Sequence, residues 1–160
     1  MCKVCYNVLM SDRFELTILS NLIHNEDYTR KVLPFLKEDY FKAREEVILF
    51  KVIEDFVVKY NNLPSKEALN IELSNSKSIT EDEFKITKSL LDNLHKSDVE
   101  YQWLLDTTEK FCKDRAVHNA VLSGIQILDG KDKKHTPEAI PSIYLKHLQF
   151  VLIHISGTII

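Results

Sequence analysis

The cysteines and histidines are the residues of this sequence with the clearest chemical potential. Cys2 and Cys5 have the C-x-x-C spacing of zinc sites and redox pairs. No second C-x-x-C and no histidine pair lies near them, so we interpret them as two reduced cytosolic thiols. His24 has no acidic or histidine partner spaced to join it in a metal site, and we interpret it as a helix-end residue. We therefore expect no metal and no cofactor in this chain.

The motifs of common enzyme classes are missing. The sequence has no G-x-x-x-x-G-K-[ST] loop to hold phosphates, and no H-E-x-x-H, G-x-S-x-G or glycine-rich dinucleotide loop. Two carboxylate pairs are placed for acid–base chemistry, Asp12 with Glu15 and Glu45 with Glu46. A helix cap and a solvated helix face explain these pairs better. We expect no catalytic residues, and the sequence favours an interaction protein over an enzyme.

Basic residues cluster at one polar turn, which contains Lys131, Lys133, Lys134 and His135. These lysines could contact phosphate, although a solvated turn is the preferred interpretation. The net charge of -3 and the pI near 6.1 argue against broad binding to nucleic-acid phosphates, which requires a basic face. A DNA-binding module that uses these lysines is kept as an alternative, and a small enzyme with an unrecognised site is another.

The composition predicts a folded, all-α protein. Hydrophobic residues make up 44% of the chain and charged residues 28%, and only three glycines and four prolines interrupt the apolar three-and-four spacing. The N-terminus lacks the features of a secretory signal, and no segment reaches the length of a membrane span. We therefore expect no membrane partner and a cytoplasmic location.

Capping residues and apolar spacing predict five helices in residues 10–96. They are a helix opened by Asp12 and ending near His24, a short helix from Glu26 to Pro34, a central helix over residues 40–60, a helix capped by Ser65, and a helix opened by the T-x-x-E capping box of Thr80 and Glu83. The central helix has apolar residues over too wide an arc for an exposed helix, so we expect its neighbours to shield most of it.

The longest predicted helix covers residues 97–130, with a capping residue before it and a glycine after it. The end that carries Trp103 is expected to face the core of its own domain. Ala116, Ala120 and Gly124 form a second stripe of small residues, which would let another helix approach closely. After the polar turn, Thr136 and Pro137 are expected to open a returning helix that runs to residue 150. The fold predicted is a globular helical head followed by a protruding helical hairpin.

Several blocks of the sequence, in this order, resemble the N-terminal domain of the replicative DNA helicases of T-even-type phages, which are DnaB-type hexameric helicases. The blocks are ILSNLIHNEDYTRKVLPFLKEDYF, NNLPSKEALNIELSNS, the TEDEF helix and WLLDTTEKFCKDRAVHNAV. The resemblance runs over about residues 14–150, and its most specific parts are WLLDTTEKFCKDRA and the PSxxALN segment.

The resemblance implies a role in assembly. Family hairpins pair between subunits, so that the N-terminal domains form a collar above the motor ring and receive primase and the helicase loader. ATP, Mg²⁺ and the grip on single-stranded DNA belong to the motor of the parent helicase, so DNA contact by this chain would be indirect. The pairing surface expected here comprises Ala116, Ala120, Val121, Gly124, Ile125, Ile140, Ile143 and Tyr144. The alternatives are that these residues only pack the two helices of one hairpin together, and that the chain is a free-standing adaptor or loader.

The ends of the chain depart from the family. Family members continue with a Ser-Phe-Asp run and then Gly-His-Asp, whereas this chain ends in VLIHISGTII. One lost base before Val151 would account for the difference. The expected organisation is therefore an upstream extension at residues 1–9, the head at 10–96, the hairpin at 97–150 and a frameshifted tail at 151–160. The parent protein would act in the cytoplasm of the host cell.

Overall fold

A computed structural model describes residues 3–149 of the chain, with side chains from Phe14 onward. That range contains seven α-helices and no strand, so the predicted all-α class is confirmed. The helices are α1 (Lys3–His24), α2 (Glu26–Val32), α3 (Arg44–Tyr60), α4 (Lys66–Asn75), α5 (Glu81–Asn93), α6 (Tyr101–Leu128) and α7 (Ile140–Leu148), and short 3-10 turns span Leu33–Phe35, Glu38–Tyr40 and Pro137–Ala139.

The chain divides into two compact units. The first ends at Asp98 and the second begins at Val99. This division lies close to the boundary between residues 96 and 97 that the sequence predicts. The predicted frameshifted tail, residues 151–160, lies outside the described residues.

Helix α1 begins earlier than the sequence predicts. It is helical from Lys3, so Asp12 lies within the helix and does not cap it, and the predicted start after Met10 is wrong. The predicted break before Glu26 is confirmed, because the Asn25 side chain accepts a hydrogen bond from the backbone N–H of Tyr28 at 3.1 Å. The buried Thr29 hydroxyl donates to the carbonyl of Leu22 at 3.0 Å, which joins α2 to the end of α1.

Helix α3 is the centre of the first unit and packs against α1, α4 and α5. Its first half supplies much of the core, since Leu49, Phe50 and Ile53 are fully buried. Its second half is more open than predicted, and Val58 is 76% exposed. The shielding expected from the apolar arc is therefore correct only for the first half, because sequence spacing does not show where the neighbouring helices end.

The caps of α4 and α5 are as predicted. Ser65 Oγ accepts from the backbone N–H of Ala68 at 3.1 Å. Thr80 and Glu83 form the reciprocal capping box, and Glu83 also pairs with Arg44 of α3 at 2.9 Å. The backbone N–H of Thr80, followed by the Arg44 guanidinium, lowers the pKa of Glu83. Local capping chemistry therefore determines where these two helices begin.

In the second unit, α6 is a single helix that starts later than predicted. The Glu100 carboxylate caps it by accepting from the backbone N–H groups of Gln102 and Trp103, at 2.8 and 2.5 Å. The helix ends where Gly130 adopts a positive φ of 68°, a conformation that favours glycine. The end of the helix that carries Trp103 has buried residues, Leu104, Leu105 and Thr108, whereas Trp103 itself is 49% exposed. Helix α7 packs on α6, and the protrusion of this pair from the head stays a prediction.

Core packing in the first unit predicts a large difference in the effect of substituting two apolar residues of the same helix, α5. Leu91 is fully buried and Ile86 is 53% exposed. Leu91→Ala should lower the free energy of unfolding by about 2–5 kcal/mol, because it leaves a cavity. Ile86→Ala should cost well under about 1 kcal/mol. Urea unfolding followed by circular dichroism measures both, and equal losses for the two variants would contradict this assignment of the core.

Candidate subunit interface

The small residues of α6 line its buried face. Ala116 and Ala120 are 1% and 3% exposed, and Gly124 is also buried. A Cβ added to Gly124 would lie 2.5 Å from the hydroxyl oxygen of Tyr144 and 3.2 Å from two of its ring carbons. The glycine therefore makes room for the ring that α7 places against α6. For Gly124 and Tyr144 the structure shows packing between the two helices of one chain.

A second apolar stripe on α6 remains exposed. Val121 and Ile125, both predicted as interface residues, are 46% and 49% exposed. Val117 and Leu128, at 46% and 69%, extend the same stripe one turn in each direction. Their spacing of four, four and three residues places all of them on one side of the helix. We call Val117, Val121, Ile125 and Leu128 the outer stripe.

No charge interrupts the outer stripe. Residues 117–128 contain no Asp, Glu, Lys or Arg. Covering this part of α6 with another apolar surface would therefore remove no charged side chain from water, which is the usual large cost of burying a surface.

Helix α7 contributes a less sharply divided surface. The predicted interface residues Ile140, Ile143 and Tyr144 are all partly buried. Leu145, which the sequence prediction left out, is 66% exposed. The eight predicted residues thus do not form one uniform surface: three are buried on α6, two are exposed on the outer stripe, and three lie partly covered on α7. The sequence prediction also left out Val117 and Leu128. Their helical spacing from Val121 and Ile125 would have indicated that they lie on the same side of α6.

The polar turn after α6 contains acidic residues as well as lysines. Lys131, Lys133 and Lys134 are exposed. The Asp132 carboxylate accepts from the backbone N–H of Lys134 at 2.8 Å and lies 2.9 Å from His135 Nδ1. These contacts, the one with His135 first, lower the pKa of Asp132. The Asp129 carboxylate also lies 3.8 Å from the Lys131 ammonium, so acidic groups lie among the lysines. Phosphate contact by this turn stays a prediction.

Other reactive groups do not converge on a site among the described side chains. Among the side chains that the structure describes, from Phe14 onward, no group of three or more His, Cys, Asp and Glu could hold a metal ion. Burial raises the pKa of the Cys112 thiol to about 12, which makes it a poor nucleophile. None of the described helices is both long and apolar enough to cross a bilayer.

Both carboxylate interpretations from the sequence are wrong for one member of each pair. Glu46 is 7% exposed and so does not lie on a solvated face, and Glu15, expected in a cap, is 1% exposed inside α1. Both side chains are buried by tertiary packing, which residue spacing within a single helix does not reveal.

Comparison with known proteins places this helical chain beside the phage replicative helicases. One relative is a DnaB-like replicative helicase of Enterobacteria phage T4, and the two sequences are 37% identical over 134 residues. The matched stretch takes in 79% of this chain but only 28% of the relative, so the chain spans little more than a quarter of that helicase. No family model matches the chain. The resemblance predicted from the sequence blocks is confirmed.

The close approach of Gly124 to Tyr144 predicts that one substitution has opposite effects in two backgrounds. In the natural chain, Gly124→Ala should destabilise the second unit by about 1–3 kcal/mol, because the new Cβ displaces the ring. In a Tyr144→Ala background, the same change should stabilise it by up to about 1 kcal/mol, since alanine is the better helix former. Urea unfolding in a double-mutant cycle measures the coupling. Equal effects in both backgrounds would show that the ring does not rest on Gly124.

Proposed function

We propose that this chain is the N-terminal assembly part of a phage replicative helicase, and that α6 and α7 pair with a second copy of the chain. The observation that carries the proposal is the outer stripe, an uncharged apolar surface on a helix whose neighbouring face is already buried. The similarity to the T4 helicase supports the assignment to replication.

The physical case for pairing rests on the size and spacing of the exposed residues. Each residue of the outer stripe keeps nearly half or more of its surface exposed. Burial of apolar surface contributes about 25 cal/mol per Å², so a stripe of this length gains several kcal/mol when another helix covers it. A second copy provides the same stripe, and a two-fold contact between identical surfaces is the commonest form of self-association.

In the parent helicase, pairing would build a collar from many weak contacts. A motor ring holds its subunits together and so raises the effective concentration of each N-terminal contact. ATP and Mg²⁺ would be used by the motor of the parent helicase, and single-stranded DNA would be met only through that motor. The function proposed for this part is to organise the ring.

Docking of primase or the helicase loader is assigned to the exposed faces of α4 and α5. Ile71 of α4 is 61% exposed and Ile86 of α5 is 53% exposed. Ile86 also lines a groove of about 410 Å³ together with Leu90 and Lys85. Exposed apolar residues beside such a groove are suited to contact another protein.

Charge placed on the outer stripe should block self-association. Val121→Glu and Ile125→Glu should each weaken it at least about tenfold, because pairing would then bury an unpaired carboxylate at a cost above about 1.4 kcal/mol. Sedimentation equilibrium over a concentration series measures the association. The matched control is Val58→Glu in the head, since Val58 is also an exposed helical valine. The same loss in the Val58 variant, or none in the stripe variants, would contradict the proposal.

If α5 is the docking surface, a substitution there should weaken the binding of primase or loader without changing self-association. Ile86→Glu should reduce capture of the cognate primase or loader at least about tenfold, since it puts a carboxylate into an apolar contact. Self-association should stay unchanged, because α5 lies in the other unit. Surface plasmon resonance with purified primase and loader measures capture, and Val58→Glu again provides the control. Unchanged capture of both proteins by the Ile86 variant would remove α5 as their docking surface.

A further inference from the structure

A groove of about 310 Å³ lies between the second half of α3 and the end of α4. Its α4 side includes Glu72, and its α3 side is formed by residues at three-and-four spacing, Val52, Asp55, Phe56, Lys59 and Tyr60. We call it the α3–α4 groove. It shares no lining residue with the groove beside α5, and it belongs to the unit that does not carry the outer stripe. The proposed assembly and docking surfaces therefore leave it unused.

Two aromatic rings form the apolar part of the α3–α4 groove. The ring centroids of Phe56 and Tyr60 are 4.6 Å apart, and the rings are tilted by 47°. Phe56 is partly buried and Tyr60 is 49% exposed, so the pair presents ring surface to the solvent. Aromatic side chains are enriched where proteins contact one another, because they bury a large area at a low cost in conformational entropy.

The polar part of the groove is mainly acidic. Asp55 is exposed and Glu72 is partly buried. Neither carboxylate forms an ion pair with the described residues, and Lys51, one turn before Asp55, pairs with Glu38 at 2.9 Å. The groove thus places two carboxylates beside an aromatic pair, which is complementary to a positively charged ligand.

A cation of the chain itself already lies on one of the two rings. Lys59 Nζ is 4.8 Å from the centroid of the Tyr60 ring, within the range of a cation–π contact. The Lys59 side chain is exposed, so it can move aside into water at little cost. The ring therefore has a face that accepts a positive charge and that an incoming cation can occupy.

We propose that the α3–α4 groove binds an arginine side chain on an exposed segment of a partner protein. A guanidinium is planar, so it can stack on an aromatic ring and donate in parallel to carboxylates beside it. The rings of Phe56 and Tyr60 and the carboxylates of Asp55 and Glu72 provide these two kinds of contact. The guanidinium takes the place of the Lys59 ammonium on the Tyr60 ring. This contact is independent of subunit pairing.

Titration of the full chain with the peptide acetyl-Leu-Arg-Leu-amide, followed by ¹H–¹⁵N NMR, tests the groove. The amide signals of Phe56, Tyr60 and Glu72 should shift together as the peptide binds. The same peptide with citrulline, which keeps the shape of arginine without its charge, should bind at least about tenfold more weakly. A peptide with lysine in place of arginine should bind about threefold more weakly, because an ammonium cannot stack on a ring and donate in parallel.

Variants of the chain test the residues of the groove. Asp55→Asn and Glu72→Gln together should weaken binding of the arginine peptide about tenfold. The matched control combines Glu67→Gln and Asp82→Asn, which remove two exposed carboxylates of the head that do not line the groove, and it should change the affinity less than about twofold. Lys59→Met should tighten binding about threefold, because it frees the ring and removes a like charge.

Equal binding of the arginine and citrulline peptides would overturn the proposal, as would an equal loss in the control variant or an unchanged affinity in Lys59→Met. Equal binding of the lysine peptide would rule out a site selective for arginine. Shifts of the Phe56 and Tyr60 signals that follow chain concentration without any peptide would identify a second copy as the occupant and contradict the proposal. If the double variant fails to fold, Glu72→Gln alone should weaken binding about threefold.

Discussion

Helix α7, with nine residues, cannot cover helix α6, which has 28, on more than one side. The contact that decides which side is covered is the one between Gly124 and the ring of Tyr144, because the missing Cβ lets the two helices approach there. Once α7 lies against the face that carries Gly124, the apolar residues on the neighbouring side stay exposed. This geometric constraint produces the outer stripe and with it the proposed interface.

The proposed function follows from that constraint together with the similarity to a phage helicase. An uncharged apolar stripe is a poor surface to leave in water and a good one to pair with a copy of itself. The head contributes differently: its core around the first half of α3 is well buried, and Ile71 of α4 and Ile86 of α5 are single exposed apolar residues. Self-association is therefore assigned to the second unit, and contact with other replication proteins to the first.

Sequence patterns predicted local features better than tertiary ones. The caps at Ser65 and Thr80 were predictable because a capping residue acts within one turn of its own helix. The burial of Glu46 and the exposure of Trp103 were not, since both depend on helices distant in the sequence. The predicted interface shows the same division. Residue spacing predicted both Gly124 and Val121 as interface residues of α6. Only the fold shows that α7 covers Gly124 and that Val121 stays exposed.

The most direct test of the central claim is an intermolecular distance at the outer stripe. A nitroxide placed on a cysteine at position 121, in a chain whose native cysteines are replaced by alanine, reports on pairing through dipolar coupling between spins. A label at position 58 in the head provides the comparison. The account predicts a resolved short distance between copies for the Val121 site that strengthens with concentration and disappears on dilution with unlabelled chain. Absence of coupling at Val121 at the highest attainable concentration, or equal coupling at Val58, would contradict it.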